Sequence, residues 1–509
     1  MGKETVQYEV SRDLSFSDLA RALAPSFGLL AEVEEPGERV FYDTFDGRLH
    51  RAGMWLVHGD GRFALGNGDG SEVAGLEWPK APREVLAAAL PGGRLREALV
   101  ALTDVRPAAR LAHVRVRQRS LRVLDQRRKT VVRLRLEQPV LAGPTNAELT
   151  PRLVAAGITG YDKALKEVRR LLALEPALTE ANVSLQDEAV ALCGHAPGGV
   201  SSNVDVTFRA DDPATLVAAK IGQRLLEVIE LNLPGALAGR DSECLHDARV
   251  AIRRTRALQR ALRDSFPAEP LRQFRAEFRW LQQVTGASRD LDVYLLEFEA
   301  FRSTLPGRQQ EGLERLLELL GERRARERRR MARALRSSRA QDALGGWAEL
   351  LGDLPTTHGT EAAGPVSEVV GARIRRVFRT MVAAGGGIDD ASAPTALHDL
   401  RKQGKELRYL LEFFTSLYPA EAIKPIVRTL KALQDTLGRF QDRQIQAELV
   451  HSLGEEVRSL PDGACALMAM GQLVERLDDQ QAQARAEFGA RFAEFASSRH
   501  HALVHEVFA

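Results

Sequence analysis

Two segments of the chain carry the same stripe of polar residues, His246-Asp247-x-Arg249-x3-Arg253-x2-Arg256 and His398-Asp399-x-Arg401-x3-Lys405-x2-Arg408, 152 residues apart. On a helix turning about 100° per residue, positions i, i+3, i+7 and i+10 fall within roughly a quarter of the circumference. Each segment therefore presents one His and three cations along a narrow line. An apolar packing face is excluded, and like charges so placed cost a few tenths of a kcal/mol per pair. A polyanion is the natural compensation. Arg offers phosphate a planar fork of donors, Lys a point charge, and His one N–H when neutral or two when protonated. Bound phosphate would raise the His pKa, so affinity is expected to rise at mildly acidic pH. A single helical His is usually a structural residue; the repetition with the same cation spacing is what argues for a ligand.

The register extends beyond the stripes. At the same offset Leu258 matches Leu410, Phe266-Pro267 matches Tyr418-Pro419, Arg272 matches Lys424, Arg279 matches Lys431, Gly286 matches Gly438 and Asp290 matches Asp442. This is an internal duplication of a helical unit, far longer than a solenoid repeat of roughly 20 to 50 residues. The preceding helix adds Lys220 and Arg224, with Arg373 and Arg376 in the equivalent stretch of the second half. The Arg-rich run from Glu322 to Arg339 reads equally as a widened anion site or as a solvated face.

The elements that must position these residues are helical from Ala214 onward, with breaks expected at Leu233-Pro234-Gly235, Pro267 to Pro270, Leu305-Pro306-Gly307, Thr356 to Pro365, Gly385 to Pro394, Pro419 and Leu460 to Gly463. Seven or eight long helices in two equivalent halves predict two bundles about a pseudo-two-fold axis. Residues 1 to about 140 read as β. Asp-Gly pairs at 46–47 and 60–61 mark hairpins, and His113 to Leu124 pairs with Thr130 to Glu137. In that pair Arg115, Arg117 and Arg119 alternate with Val114 and Val116, and Arg133 and Arg135 alternate likewise, so these arginines line either an interior or an outer face. Short helices are expected at Asp18 to Phe27, Pro82 to Leu90 and Asp162 to Leu174. The Gly-, Ser- and Pro-rich run from Gly194 to Pro213 marks a boundary. The predicted fold is α+β and multidomain: residues 1–185 an antiparallel β domain, 186–213 a linker, and 214–509 all-α with halves 214–355 and 366–509.

The chain has 509 residues, 44% hydrophobic and 28% charged, which fits two to four soluble domains. A formal net charge of +2 says little about partners, so the argument rests on clustering. Cys193, Cys244 and Cys465 lack C-x-x-C spacing, which argues against a disulfide framework or a zinc site. No signal pattern, myristoylation motif or 18-residue apolar run is visible, so a cytoplasmic protein with no membrane partner is expected. Gly66-Asn67-Gly68-Asp69-Gly70 reads as a turn and not a nucleotide loop. The His-Asp dipeptides lack the flanking ligands of a metal phosphohydrolase, so no metal or cofactor is expected.

The repeated H-x-x-R-x-x-x-[RK]-x-x-R, followed by Gly286 to Asp290 and Gly438 to Asp442, resembles the CHAD domain, the conserved histidine α-helical domain, over about residues 200 to 509. The resemblance implies two four-helix bundles around a basic central channel that binds inorganic polyphosphate and related phosphate-rich ligands. It places His246, Arg249, Arg253, Arg256, His398, Arg401, Lys405 and Arg408 in that channel, with Arg272/Lys424 and Arg279/Lys431 as additions. Arg289 joins them although Gln441 replaces it in the second copy. The N-terminal region, through Tyr42-Asp43-Thr44 and Asp46-Gly47-Arg48-Leu49-x-x-Ala52-Gly53, is similar to the CYTH fold, an eight-stranded tunnel that hydrolyses triphosphates with divalent metal. Its E-x-E-x-K strand would be Glu4 to Tyr8, where Val6 and Tyr8 replace a carboxylate and a cation, and Met54 to His58 lacks the expected Arg or Lys. The expectation is thus a non-enzymatic polyphosphate binder with a catalytically inactive CYTH-like domain, recruited to polyphosphate granules. The rivals are a metal-dependent triphosphatase or polyphosphatase using Glu4, Glu77 and Glu137, and a nucleic-acid binder, the latter disfavoured by 6% aromatic content.

Overall fold

The computed structural model describes residues 5–11, 14–68, 70–143, 146–239, 241–357, 364–459 and 463–508, without the side chains of 308–309 and 355–357. The chain divides between Ser201 and Ser202 into two compact units, one built on an antiparallel sheet and one helical, an α+β architecture.

The first unit contains strands β1 (Thr5–Val10), β2 (Gly28–Asp43), β3 (Met54–Gly59), β4 (Arg62–Asn67), β5 (Glu72–Glu77), β6 (Glu84–Val85), β7 (Ala108–Leu124), β8 (Thr130–Leu141), β9 (Arg152–Gly157) and β10 (Leu178–Glu180). Its helices are α1 (Phe16–Leu23), α2 (Arg48–Arg51), α3 (Arg94–Thr103), α4 (Asp162–Leu172) and α5 (Leu185–Leu192). The strands run β10-β1-β9-β8-β7-β2-β3-β4-β5, with β6 pairing to β7. The sheet curls until the turn after β4 returns to β1: a Cβ on Gly70, whose φ is +82°, would sit 3.0 Å from the Thr5 side chain. The curl encloses a cavity of about 600 Å³, consistent with a tunnel-like domain.

Alternation along the strands decides what faces that cavity. In β1, Thr5 and Gln7 border it, whereas Val6, Tyr8 and Val10 are buried on the other face under α1 and α4. Val6 and Tyr8 are therefore core residues, not failed tunnel residues; a one-residue difference in register moves a side chain to the opposite face. Glu4 lies outside the described residues. Arg115 and Arg117 are exposed on the face opposite Val114 and Val116, and Arg119 pairs with Glu34 at 3.5 Å. Of the alternating arginines, Arg135 borders the cavity.

Two local expectations are corrected. Pro82 to Leu90 forms β6 and a 3-10 turn at Ala87–Ala89, because pairing of Glu84 and Val85 with β7 overrides the weak helical pattern. Much of the expected linker belongs to the first unit. Leu185, Ala189 and Val190 of α5 pack on Phe41, Val114 and Val116, and the Val200 amide donates to the Phe45 carbonyl at 3.0 Å.

The helical unit comprises α6 (Ala214–Ala238), α7 (Ser242–Ala261), α8 (Ala268–Val284), α9 (Gly286–Arg302), α10 (Gly307–Gly312), α11 (Glu314–Leu335), α12 (Ser338–Thr357), α13 (Val366–Gly386), α14 (Pro394–Phe413), α15 (Ala420–Ser452), α16 (Gly454–Arg458), α17 (Gly463–Phe495) and α18 (Ser498–Val507). Helices α6, α7, α8 and α12 pack together, with Trp347 fully buried among Phe266, Phe274 and Phe278. Helices α13, α14, α15, α17 and α18 form the equivalent group, in which Phe378 meets Phe495. A further core is shared between the halves: Leu291, Tyr294, Phe298 and Leu316 pack with Val450, Val457, Leu473 and Leu477.

One expected break is absent, and one junction differs between the two copies. Helix α6 runs through Pro234 and stops at Gly239, whose φ is +59°, and α15 is continuous through Gly438. At the matching point of the first copy, the Thr285 hydroxyl donates to the Leu281 carbonyl at 2.8 Å, and α8 gives way to α9. The second copy has buried Leu437 there, which offers no competing hydrogen bond. The break at Leu460 to Gly463 falls largely outside the described residues.

Candidate functional site

The two repeated stripes lie on α7 and α14, and tertiary packing turns them toward a common locus. At the head of each half, the Ala214 amide donates to the Gly364 carbonyl at 3.3 Å while the Val366 amide donates to the Asp212 carbonyl at 3.0 Å. Residues 212 and 214 are the duplicates of 364 and 366, so this reciprocal pair is what an approximate two-fold axis between the halves produces. The same exchange recurs where α7 crosses α14. Arg254 pairs with Glu412 at 2.7 Å and Arg260 with Glu406 at 3.5 Å. Arg254 and Glu406 occupy one duplicated position, Arg260 and Glu412 the other. The axis thus passes between Ala257 and Tyr409.

All eight stripe residues are half-buried, none freely exposed. Burial and the neighbouring guanidiniums of Arg401, Arg253 and Arg249 push the Lys405 ammonium down to about 7, against a partial opposing pull from Asp442. Burial likewise lowers Arg249 to about 10. Four cations from two helices 152 residues apart are therefore within mutual electrostatic reach. Their geometry is held by specific bonds. Arg249 Nη1 donates to the Gln282 carbonyl at 2.9 Å and Thr285 Oγ1 at 2.8 Å, Arg253 Nε donates to the Tyr409 hydroxyl at 2.6 Å, and Arg401 Nη2 reaches Asp442 Oδ1 at 3.4 Å. Burial raises the carboxyl groups of Asp290 and Asp442, while Arg249 and Arg401, respectively, oppose that rise.

The two histidines differ. His398 Nδ1 donates to Gln441 Oε1 at 2.5 Å. His246 instead faces Arg289, the counterpart of Gln441, and burial together with that guanidinium lowers its pKa. Arg289 is held by Glu243 at 3.1 Å. Further along α7, burial and the nearby Arg260, Arg279 and Arg275 lower Arg256, while Arg408 donates to Glu412 at 2.6 Å.

Of the other sequence candidates, Arg279 stays close to Arg256 of the first stripe. Arg272 and Lys424 are exposed and paired with Glu269 and Glu421 one turn away, at 2.8 and 2.9 Å. They decorate the first turns of α8 and α15, where the acidic residue satisfies the helix N-terminus and the cation satisfies the acid. Arg373 supports the crossing by donating to Glu406 at 2.5 Å, and Arg224 pairs with Glu227. Lys220, Arg279, Arg376 and Lys431 are exposed. Sequence reading missed Arg254, Arg260, Arg275, Glu406, Glu412 and Tyr409. The available signal was the reversal of charge at offset 152, Arg to Glu twice.

In the first unit, the two described acids of the triphosphatase alternative do not converge. Glu77 is exposed at the end of β5 and lies 3.6 Å from Arg62, whereas Glu137 is buried and paired with Arg39 and Arg135. Among the described residues no group of three or more His, Cys, Asp or Glu could hold a metal ion, and no helix is long and apolar enough to cross a membrane.

Residues 220–451 match the family model of the CHAD domain. Two Mycobacterium tuberculosis proteins, MT2285 and Rv2226, are each 28% identical over 269 residues, covering 50% of this chain. The match spans 50% of the length of these curated relatives. Among solved structures, the CHAD domain from the plant Ricinus communis is 26% identical, covering 57% of this chain and 94% of that one, with a TM-score of 0.49.

Proposed function

We propose that the helical unit, which carries a CHAD domain, binds inorganic polyphosphate through the cations that α7 and α14 bring together, and that the protein acts by binding and not by hydrolysis. The observation that carries this reading is the crowding of Arg249, Arg253, Arg401 and Lys405, two from each half, in a site where burial together with the neighbouring guanidiniums holds Lys405 near neutrality at about 7. Clustered cations at such a cost need an anion to offset it, and a flexible chain of phosphates matches several guanidinium forks at once. Each charge-assisted bond would contribute roughly 1.5 to 3 kcal/mol at a half-buried site. Recruitment to polyphosphate granules in the cytoplasm follows from such an affinity. The first unit contributes no catalysis in this reading, because Glu137 is already saturated by two arginines and Glu77 is exposed beside Arg62.

The test is calorimetry on the full chain with long-chain polyphosphate and with single-stranded DNA of equal charge at physiological salt. Tight polyphosphate binding, falling on the order of a hundredfold between 50 and 200 mM salt, is expected. Equal or tighter binding of DNA would replace the proposal with nucleic-acid recognition. Phosphate release from tripolyphosphate with Mg²⁺ or Mn²⁺, above background, would replace it with hydrolysis.

A further inference from the structure

The cavity inside the curled sheet of the first unit is built differently from a phosphate site. Three guanidiniums border it, and each is already engaged. Arg39, half-buried, donates two bonds to Glu137 at 2.8 and 2.6 Å, and Arg135 donates to the same carboxylate. Arg62 is taken by Glu72, with one bond at 2.9 Å, and by Glu77. Four carboxylates, those of Glu38, Asp60, Glu137 and Asp187, border the same space, so acids outnumber cations along the wall. The residual field disfavours a polyanion and favours a cation.

Part of the remaining wall is apolar, formed by Phe41, Met54, Trp55, Val57 and Val154, beside the neutral polar side chains of Thr5, Gln7, Gln118 and Gln186. Trp55 is fixed as a platform. Its Nε1 donates to the Asn67 carbonyl at 2.7 Å, and its ring lies against Gly66, where a Cβ would come within 2.1 Å of ring carbon Cζ2. An acidic group is fixed as well. Asp187, near the start of α5, meets His50 Nε2 at 3.2 Å. His50 is positioned in turn by Asp43, whose buried carboxylate accepts the amides of Thr44, Leu49 and His50 at 2.7, 2.9 and 2.9 Å. A rigid aromatic face and a held carboxylate on one cavity of about 600 Å³, within the usual size range for small-molecule sites, form a recognisable pairing.

We propose that this cavity binds a small organic ammonium compound with a flat apolar body, its amine directed to Asp187 and its body against Trp55. The inference is independent of polyphosphate binding by the helical unit, since all its residues lie between Thr5 and Asp187. It is tested on the full chain by ligand-observed NMR and calorimetry with three probes: tryptamine, indole-3-acetate and tripolyphosphate. Tryptamine should bind, indole-3-acetate should bind at least about tenfold more weakly, and tripolyphosphate should not displace tryptamine. Asp187→Asn and Trp55→Leu should each weaken tryptamine roughly tenfold, with melting temperature checking that each variant is folded. Absence of tryptamine binding, equal binding of the indole acid, or displacement by tripolyphosphate would overturn the proposal. Displacement is read at the bound tryptamine, so phosphate held by the helical unit does not affect the outcome.

Discussion

Lys405 makes the binding of a polyanion a proton-uptake reaction. In the free protein its ammonium titrates at about 7, depressed by burial and by Arg401, Arg253 and Arg249. Phosphate oxygens placed among those cations would return it toward or above the ordinary Lys value of about 10.4, so the bound state holds the proton across the physiological range. Binding should then take up about 0.1 proton at Lys405 at pH 6, about 0.5 at pH 7 and about 0.9 at pH 8. By linkage, affinity should fall about tenfold from pH 6 to pH 8 on this account alone. The assay is calorimetry with long-chain polyphosphate in buffers of different ionisation enthalpy, comparing the wild type with Lys405→Arg, which keeps a charge that does not titrate. Subtraction isolates Lys405 from His246, whose lowered pKa adds uptake at the acid end. Equal uptake in the two proteins at pH 8, or affinity independent of pH, would falsify the placement of this amine among the bound phosphates. The sign for stability is the reverse. A Lys whose folded pKa is depressed costs stability that is fully present below about pH 7 and relieved as pH rises toward its unfolded value, so Lys405→Met should raise the melting temperature most at neutral and acidic pH.

Replacing Arg272 and Lys424 together with Ala should leave polyphosphate affinity within about twofold, whereas Arg249→Ala with Arg253→Ala should weaken it about as much as Arg401→Ala with Lys405→Ala, on the order of a hundredfold or more; titration of all three ranks them, and a large loss from the first pair refutes its placement on the solvent face. The crossing of α7 and α14 is keyed by charge: Arg254→Glu with Arg260→Glu should cost roughly 2 kcal/mol or more, and adding Glu406→Arg with Glu412→Arg should recover part of it. Recovery is partial because Arg373 and Arg408 would then face new cations; a melting series showing no recovery contradicts the pairing. Val6→Glu with Tyr8→Lys should unfold or strongly destabilise the first unit, since both side chains are buried in its core, at several kcal/mol by the cost of unpaired buried charge. A thermal melt indistinguishable from wild type would show that β1 has the opposite register.

The sequence by itself determined the duplication, the helical nature of its copies, the boundary near residue 200 and the identity of the eight stripe residues. These are local facts: a stripe at helical spacing is a property of about eleven consecutive residues, and an offset of 152 needs no folding to be seen. The β character of the first 140 residues was legible for the same reason, through Asp-Gly turns and period-two alternation. Which face of a strand or helix meets what was not. The turns and pattern around β1 left open whether Val6 or Gln7 looks inward, because alternation fixes a period and not a phase; the packing of α1 and α4 chose. The matched pair Arg272 and Lys424 looked like site residues because they share the register of the duplication, yet a duplicated position is equally a duplicated surface position, and only the fold points it to solvent. Tertiary structure alone also decided that Lys405 is a weak base, since its depressed pKa arises from burial and from three arginines, two of them contributed by the other half of the chain. The key at the crossing followed the same rule: Arg254 and Glu412 are 158 residues apart, and a two-fold axis that no local pattern encodes brings them to 2.7 Å.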